Sequence, residues 1–290
     1  MKSKKFGIIG GDIRQYYLGQ SLKKDGHTVM LCGINKSQKA EEEEENSLES
    51  VINFADYIIL PVPTTRDGEN IHAPLYHKNI PLNLKLLDML KSKIVFAFNV
   101  SSLTLFKKDV KNKQITSFDY NTEKFKILNA LPTAEGAIKL AMEESGKTIK
   151  NSVSLVVGYG RIGKILSKLL CDLKSNVTVS ARKSQDRAWA NINGYGSMDT
   201  PSKDNDLSKY DLIFNTVPKI IFDKEVLLKC SKNTVIIDLA SMPGGIDKKE
   251  AENLGIKTIH ALGLPGKYFP KTSGEIIKSA IYELIKEHNL

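Results

Sequence analysis

The chain is poor in cysteine: Cys32, Cys171 and Cys230 are the three it has in 290 residues, and no two form a Cys-x-x-Cys pair. An odd, dispersed set argues against a disulfide framework and fits reduced thiols in a cytoplasm. Histidine is nearly as sparse, and His27, His72, His77, His260 and His288 show no metal-ligand spacing. Solvent or packing roles are expected for them and no metal site; His260 stays open because it ends a predicted strand. No Ser/His/Asp order stands out. Long apolar runs are missing too. Phe6-Gly-Ile-Ile9, which follows Met1-Lys-Ser-Lys-Lys5, is too short for a signal peptide or a membrane span, so neither is expected. Acidic charge is in deficit, with 33 Asp and Glu against 42 Lys and Arg. The lysines are scattered, which predicts a solvated surface with a weak pull on anionic substrates and no nucleic-acid site. The run Glu41–Glu45 reads as a solvated linker or helix start. The length exceeds one comfortable core, so two domains are expected.

What is present centres on Ser154-Leu-Val-Val-Gly158-Tyr159-Gly160-Arg161-Ile162-Gly163. An apolar strand runs into Gly-x-Gly-x-x-Gly, and Ile165, Leu166, Leu169 and Leu170 follow at helical spacing. That order is what a dinucleotide-binding βα unit requires. Gly158 permits the tight turn, Gly160 lets backbone approach a pyrophosphate, and Gly163 lets helix pack on strand while N–H groups face the anion.

Upstream, Phe6–Gly10 predicts a buried strand, then the turn Gly10-Gly11-Asp12-Ile13-Arg14-Gln15, a helix over about 16–24 and a strand within 26–33. The half thus opens with a βαβ unit of degenerate glycine pattern. A third strand, 55–60, ends in Pro61-Val-Pro-Thr64-Thr65-Arg66-Asp67-Gly68. Ligands sit beyond the carboxyl ends of strands in open α/β sheets, so this loop is a site candidate. Thr64 and Thr65 supply hydroxyls and Arg66 a carboxylate-matching fork. Strands follow at 93–98 and 117–119. The apolar run 126–131 stops at Pro132, and Thr133 is the expected N-cap of a linking helix.

Downstream, strands are predicted at 154–157, 176–180, 212–216, 234–239 and 257–261. Pro265 and Pro270 break the chain before a closing helix over 273–287. The alternation argues an α/β fold with a doubly wound, mostly parallel sheet in each half. After the second of these strands stands Ser180-Ala-Arg182-Lys183, where NAD-specific folds place an acidic residue for the ribose 2′-hydroxyl. A hydroxyl and two cations suit a 2′-phosphate, so NADP is favoured over NAD; the alternative is that Arg182 and Lys183 begin a solvated loop. Thr216, Val217 and Pro218 end the next strand, where Pro218 turns the chain away and frees carbonyls for a ligand. Asp238 either contacts cofactor or ties loop amides, and Leu264 lies in a small-residue loop expected near the nicotinamide.

Six stretches are unusual together: 10–15, 60–65, 131–138, 158–163, 238–245 (Asp-Leu-Ala-Ser-Met-Pro-Gly-Gly) and 263–274. In order and over nearly the whole chain, the set resembles the dipicolinate synthase A-subunit family of spore-forming bacteria. The resemblance implies two Rossmann-like domains, as in D-2-hydroxyacid and alanine dehydrogenases. Residues 1–132 would form the substrate domain, 133–272 the NADP-binding domain, and the closing helix 273–290 would return to the first. It also implies NADP-linked oxidation of a tetrahydrodipicolinate-derived compound to pyridine-2,6-dicarboxylate, with a flavoprotein-like B subunit, in the mother-cell cytoplasm. A homo-oligomer is expected. A dicarboxylate needs cations and hydroxyls, for which Arg14, Thr64, Thr65, Thr133, Ser241 and Lys271 are the candidates. Arg14 could instead start a surface helix, and Thr133 only cap one. Two rivals stay open: another NADP dehydrogenase of small carboxylates, of hydroxyacid, amino-acid or shikimate type, and a non-catalytic nucleotide-sensing subunit.

Overall fold

The computed structural model describes residues 2–34, 46–99 and 115–290; the acidic run Glu41–Glu45 lies outside them. The chain divides into two units, Met1–Lys126 with Phe269–Leu290, and Ile127–Tyr268. The first boundary falls six residues before the expected 132/133, inside one continuous linking helix, and the second four before 272/273, just ahead of the closing helix.

The first unit holds five parallel strands in the order β2-β1-β3-β4-β5. They are β1 (Lys5–Ile9), β2 (Thr28–Cys32), β3 (Tyr57–Ile59), β4 (Ile94–Ala97) and β5 (Thr116–Asp119). Parallel strands covered on both faces read as unbroken apolar runs, and Phe6, Ile8, Ile9, Ile58 and Ile59 have no exposure. One face is covered by α2 (Leu48–Phe54) and α3 (Leu84–Leu90), through Val51, Ile52, Leu86 and Leu87. The other is covered by α1 (Ile13–Lys24) and α10 (Pro270–Glu287), through Leu18, Leu22, Ile277 and Ile281. Gly274 makes that helix pair possible: a Cβ there would lie 2.8 Å from the Leu18 nitrogen and 2.9 Å from the Arg14 carbonyl.

The second unit holds six parallel strands in the order β11-β10-β9-β6-β7-β8. They are β6 (Val153–Val157), β7 (Asn176–Ser180), β8 (Gly196–Met198), β9 (Leu212–Asn215), β10 (Val235–Asp238) and β11 (Lys257–His260). The chain grows outward from β6 through β7 and β8, then restarts on the other side of β6 at β9. The switch point is therefore between β6 and β9, where an open α/β sheet opens a crevice. The helices are α5 (Arg161–Asp172), α6 (Ser184–Ile192), α7 (Lys224–Leu227), α8 (Lys248–Asn253) and α9 (Leu264–Tyr268).

Three expectations are corrected. β8 is an additional strand, an edge of three residues with no apolar run to mark it. α4 (Glu123–Ser145) runs through Pro132 without a break, so Thr133 is not an N-cap. Its hydroxyl instead donates to the Asn129 carbonyl at 2.7 Å, inside the turn that proline leaves short of a donor. Pro265 lies within α9 and Pro270 starts α10, where its fixed φ and missing N–H cost least. The closing helix thus begins at 270 rather than 273.

Candidate functional site

At the end of β6 the fingerprint folds as its glycines require. Gly158 has φ of 98°, and its N–H donates to the Ser180 carbonyl at 2.8 Å. A Cβ at Gly158 would sit 2.3 Å from Thr216 Oγ1, and one at Gly163 would sit 2.0 Å from the Gly158 carbonyl oxygen. Both positions are closed to any side chain. Gly160 differs: a Cβ there meets nothing within 4 Å. It is the N-cap of α5, and no side chain caps that helix. Two glycines press strand and helix together while the third faces open space at a helix N-terminus, the cradle a pyrophosphate needs.

The corresponding turn of the first unit has the same outline and the opposite chemistry. Gly10 and Gly11 also have positive φ, but the Gly11 N–H donates to the His72 carbonyl at 2.7 Å. Asp12 caps α1, accepting from the Arg14 N–H, and Gln15 closes the box by accepting from the Asp12 N–H at 3.1 Å. With a carboxylate already at its N-terminus, α1 has no place for a phosphate. The degenerate glycine pattern serves packing: a Gly10 Cβ would lie 2.7 Å from Ile71.

A cleft of about 700 Å³ opens along the carboxyl ends of β6, β7 and β9. Gly158, Tyr159, Ser180, Arg182, Lys183 and Val217 line it. Arg182 and Lys183 are exposed, and Lys183 is the N-cap of α6, which also carries no side-chain cap although Asp186 sits in its first turn. Ser180 lines the cleft as a buried residue whose hydroxyl donates to the Asp199 carbonyl at 3.1 Å, bracing β7 to β8. Arg187 is a residue that sequence reasoning missed. Its Nη1 donates to the carbonyls of Ala181 at 2.7 Å and Arg182 at 2.9 Å, and pairs with Asp199 at 3.3 Å. It fixes the backbone that presents Arg182. Nothing but a position one helical turn downstream marks it in the sequence.

Of the other cofactor candidates, Arg161 is exposed on the first turn of α5, while Ile162 packs on the core. Thr216 donates its hydroxyl to the Val157 carbonyl at 2.9 Å, tying β9 to β6, and Pro218 is exposed outside the cleft lining. Leu264 is buried against Gly136, where a Cβ would lie 3.0 Å away. Asp238 ties loop amides, the second of its two readings. Wholly buried, it accepts from Asn215 Nδ2 at 2.8 Å, from Ala240 N–H at 3.1 Å and from Gly245 N–H at 2.8 Å. Asn215 also bonds Val217 through both ends of its amide, so the two residues knit together the loops after β9 and β10. His260, at the end of β11, has Nε2 at 2.8 Å from the Ala240 carbonyl, which makes it the donor and the ring a brace of the same loop. Ser241 stands exposed on that loop.

In the first unit, Arg14 is buried rather than on the surface, and gives Nε and Nη2 to Asp12 and to the Val62 carbonyl. Burial raises the Asp12 pKa, but the Arg14 hydrogen bond and charge outweigh it and hold the carboxyl below its usual range. Thr64 is buried, and its hydroxyl donates to the Phe98 carbonyl and accepts from the Phe98 N–H, both at 3.0 Å. Thr64→Val is therefore expected to cost about 1–2 kcal/mol of stability, seen as a lower urea midpoint. An unchanged midpoint would show that the pair of bonds does not hold the loop. The Thr65 hydroxyl is likewise spent on Asp67 at 3.0 Å and the Gly68 N–H at 2.9 Å. Lys271 is exposed on the first turn of α10. Among the described residues no group of His, Cys, Asp or Glu could hold a metal, and no helix is long and apolar enough to cross a membrane.

Known proteins resemble this chain in sequence and fold. The family of the dipicolinate synthase A-subunit N-terminal domain matches residues 5–121. The dipicolinate synthase A subunit of Bacillus subtilis (strain 168) is 32% identical over 288 residues, 98% of this chain and 96% of that protein. The crystal structure of the dipicolinate synthase A subunit from Bacillus halodurans superposes with a TM-score of 0.85 at 28% identity, covering 97% of each chain. An L-alanine dehydrogenase superposes at 0.62 over 98% of this chain and 90% of its own, and at 11% identity that is a likeness of fold, two Rossmann-like α/β domains. The chain belongs to the dipicolinate synthase A-subunit family.

Proposed function

We propose that the protein is an NADP-linked dehydrogenase, the A subunit of a dipicolinate synthase, oxidising a dihydro- or hydroxy-tetrahydrodipicolinate precursor to pyridine-2,6-dicarboxylate. The observation that carries the nucleotide part is Gly160. It faces open space at an uncapped helix N-terminus, between two glycines that admit no side chain. The N–H groups of the first turn of α5 then orient a pyrophosphate, and Tyr159 walls the cleft beside it. A bound nicotinamide supplies a two-electron hydride acceptor. A substrate that becomes aromatic on oxidation needs little acid–base help, so orientation and charge are the protein's main contributions. Among the substrate candidates, Ser241 and Lys271 each keep an exposed polar group.

The choice of NADP rests on Arg182 and Lys183, exposed cations after β7 where no acidic residue stands. NADP is expected to bind at least about tenfold tighter than NAD, which is about 1.4 kcal/mol, with Arg182→Ala removing most of the gap. Equal affinities in the unaltered protein, measured by titration, would make the two cations a solvated loop. For the reaction, the chain mixed with enzymatically generated precursor and NADP should produce NADPH absorbance together with pyridine-2,6-dicarboxylate. Binding of NADP without reduction, even with a B subunit present, would overturn the catalytic reading in favour of a sensing subunit. Membership of an A-subunit family supports a partner subunit; that the partner is a flavoprotein-like B subunit and the place of action the mother-cell cytoplasm is part of the same proposal.

A further inference from the structure

A second, smaller cavity lies wholly within the first unit. It measures about 200 Å³, below the size of ordinary ligand pockets and far too small for a dinucleotide. Arg66, Asp67, Asn70, His72, Tyr76 and Lys78 contribute its polar lining. Its walls are the segment between β3 and α3, folded back on itself: the Ile71 N–H donates to the Ile80 carbonyl at 2.9 Å and the Leu82 N–H to the Glu69 carbonyl at 2.7 Å. His72 is pinned from both sides, its N–H on the Thr64 carbonyl at 2.9 Å and its carbonyl under the Gly11 N–H. The backbone that carries the charges is thus fixed before any ligand arrives, which lowers the ordering cost of binding.

The charges of this cavity are unbalanced. Asp67 is the acid of its lining, and four donors of the same loop already satisfy it: the Thr65 hydroxyl, the Glu69 and Asn70 N–H groups and the Asn70 side chain. Led by the Asn70 side chain, they hold its carboxyl far below the usual range. Among the described residues, no carboxylate lies within 4.0 Å of Arg66 or Lys78. Burial, then the charge of Arg66, depress the His72 pKa, so at neutral pH its ring is an uncharged hydrogen-bonding partner. We propose that Arg66 and Lys78 form a carboxylate-binding pocket that holds one carboxylate of the dicarboxylate substrate. The planar fork of Arg66 meets the two oxygens, and the flexible Lys78 adds a point charge. This rests on the dicarboxylate substrate proposed above.

The test separates the two ideas. Pyridine-2,6-dicarboxylate is titrated calorimetrically into the whole chain without nucleotide, and inorganic phosphate is titrated in parallel. Arg66→Gln and Lys78→Gln are exposed changes that should fold normally by circular dichroism. Each is expected to weaken the dicarboxylate at least tenfold while phosphate binds far more weakly than the dicarboxylate. In turnover, KM should rise at little change in kcat. Dicarboxylate affinity equal to that of the unaltered chain in both variants would overturn the pocket. Phosphate binding as tightly as the dicarboxylate, with KM unmoved, would make it an anion site unrelated to substrate and overturn the assignment. A chain that binds the dicarboxylate through Arg66 yet reduces no NADP would sustain the pocket and overturn the dehydrogenase.

Discussion

Gly163→Ala is expected to abolish dinucleotide binding and to lower stability by at least about 1–3 kcal/mol. The added methyl would lie 2.0 Å from the Gly158 carbonyl oxygen and 3.0 Å from its carbon. Both are backbone atoms, so no side-chain rotation relieves the contact. Either the turn after β6 moves or α5 lifts from the sheet, carrying the buried Leu166 and Leu170 with it. Gly160→Ala is the control that isolates the ligand. Its methyl meets no protein atom, and its φ of −82° is open to any residue. The fold should lose no more than about 1 kcal/mol at this N-cap position, while NADPH affinity, read by fluorescence titration, falls at least tenfold. Full binding by both variants would show that the fingerprint is a structural turn.

Asp238→Ala is the second large effect, expected at about 3–5 kcal/mol, because it strips the acceptor from two buried N–H groups, at about 1–3 kcal/mol each, and leaves Asn215 Nδ2 with the Val217 carbonyl alone. Asn215 Nδ2 and the N–H groups of Ala240 and Gly245 would lose their acceptor together. The loop has no room to repack around them, since a Gly245 Cβ would already be 2.2 Å from Asn215 Nδ2. Asp238→Asn keeps the shape and one acceptor oxygen and should lose roughly half as much. Urea unfolding checks this through a lower midpoint at unchanged slope. A loss under about 1 kcal/mol would return Asp238 to the alternative in which its carboxylate serves a ligand.

The strands and the fingerprint could be read from the sequence because their signals are local. An apolar run bounded by glycine is a buried parallel strand whatever surrounds it, and 176–180 was legible to the residue. Candidate contacts fared differently. Thr64, Ser180 and Asp238 carry the right chemistry at strand ends, yet each spends it on backbone brought close only by the fold: Phe98, Asp199 and Gly245. A hydroxyl or carboxylate beside a loop must satisfy that loop before it can serve a ligand, and sequence does not reveal which demand comes first. Pro132 misled for a related reason. A proline removes one helical bond, and a helix braced by the buried Ala134, Ala137 and Ala141 survives the loss.

The first unit is closed by a segment that the ribosome makes after the whole of the second. α10 supplies Ile277, Ile281 and Leu284 to the core over Leu18 and Leu22, and Gly274 seats it against α1. During synthesis the strands β1–β5 therefore wait with one face of their sheet covered by α1 but not yet by α10, while residues 127–268 already hold every strand of their own sheet. The nascent chain completes its second unit first. The unit that began the chain completes itself last.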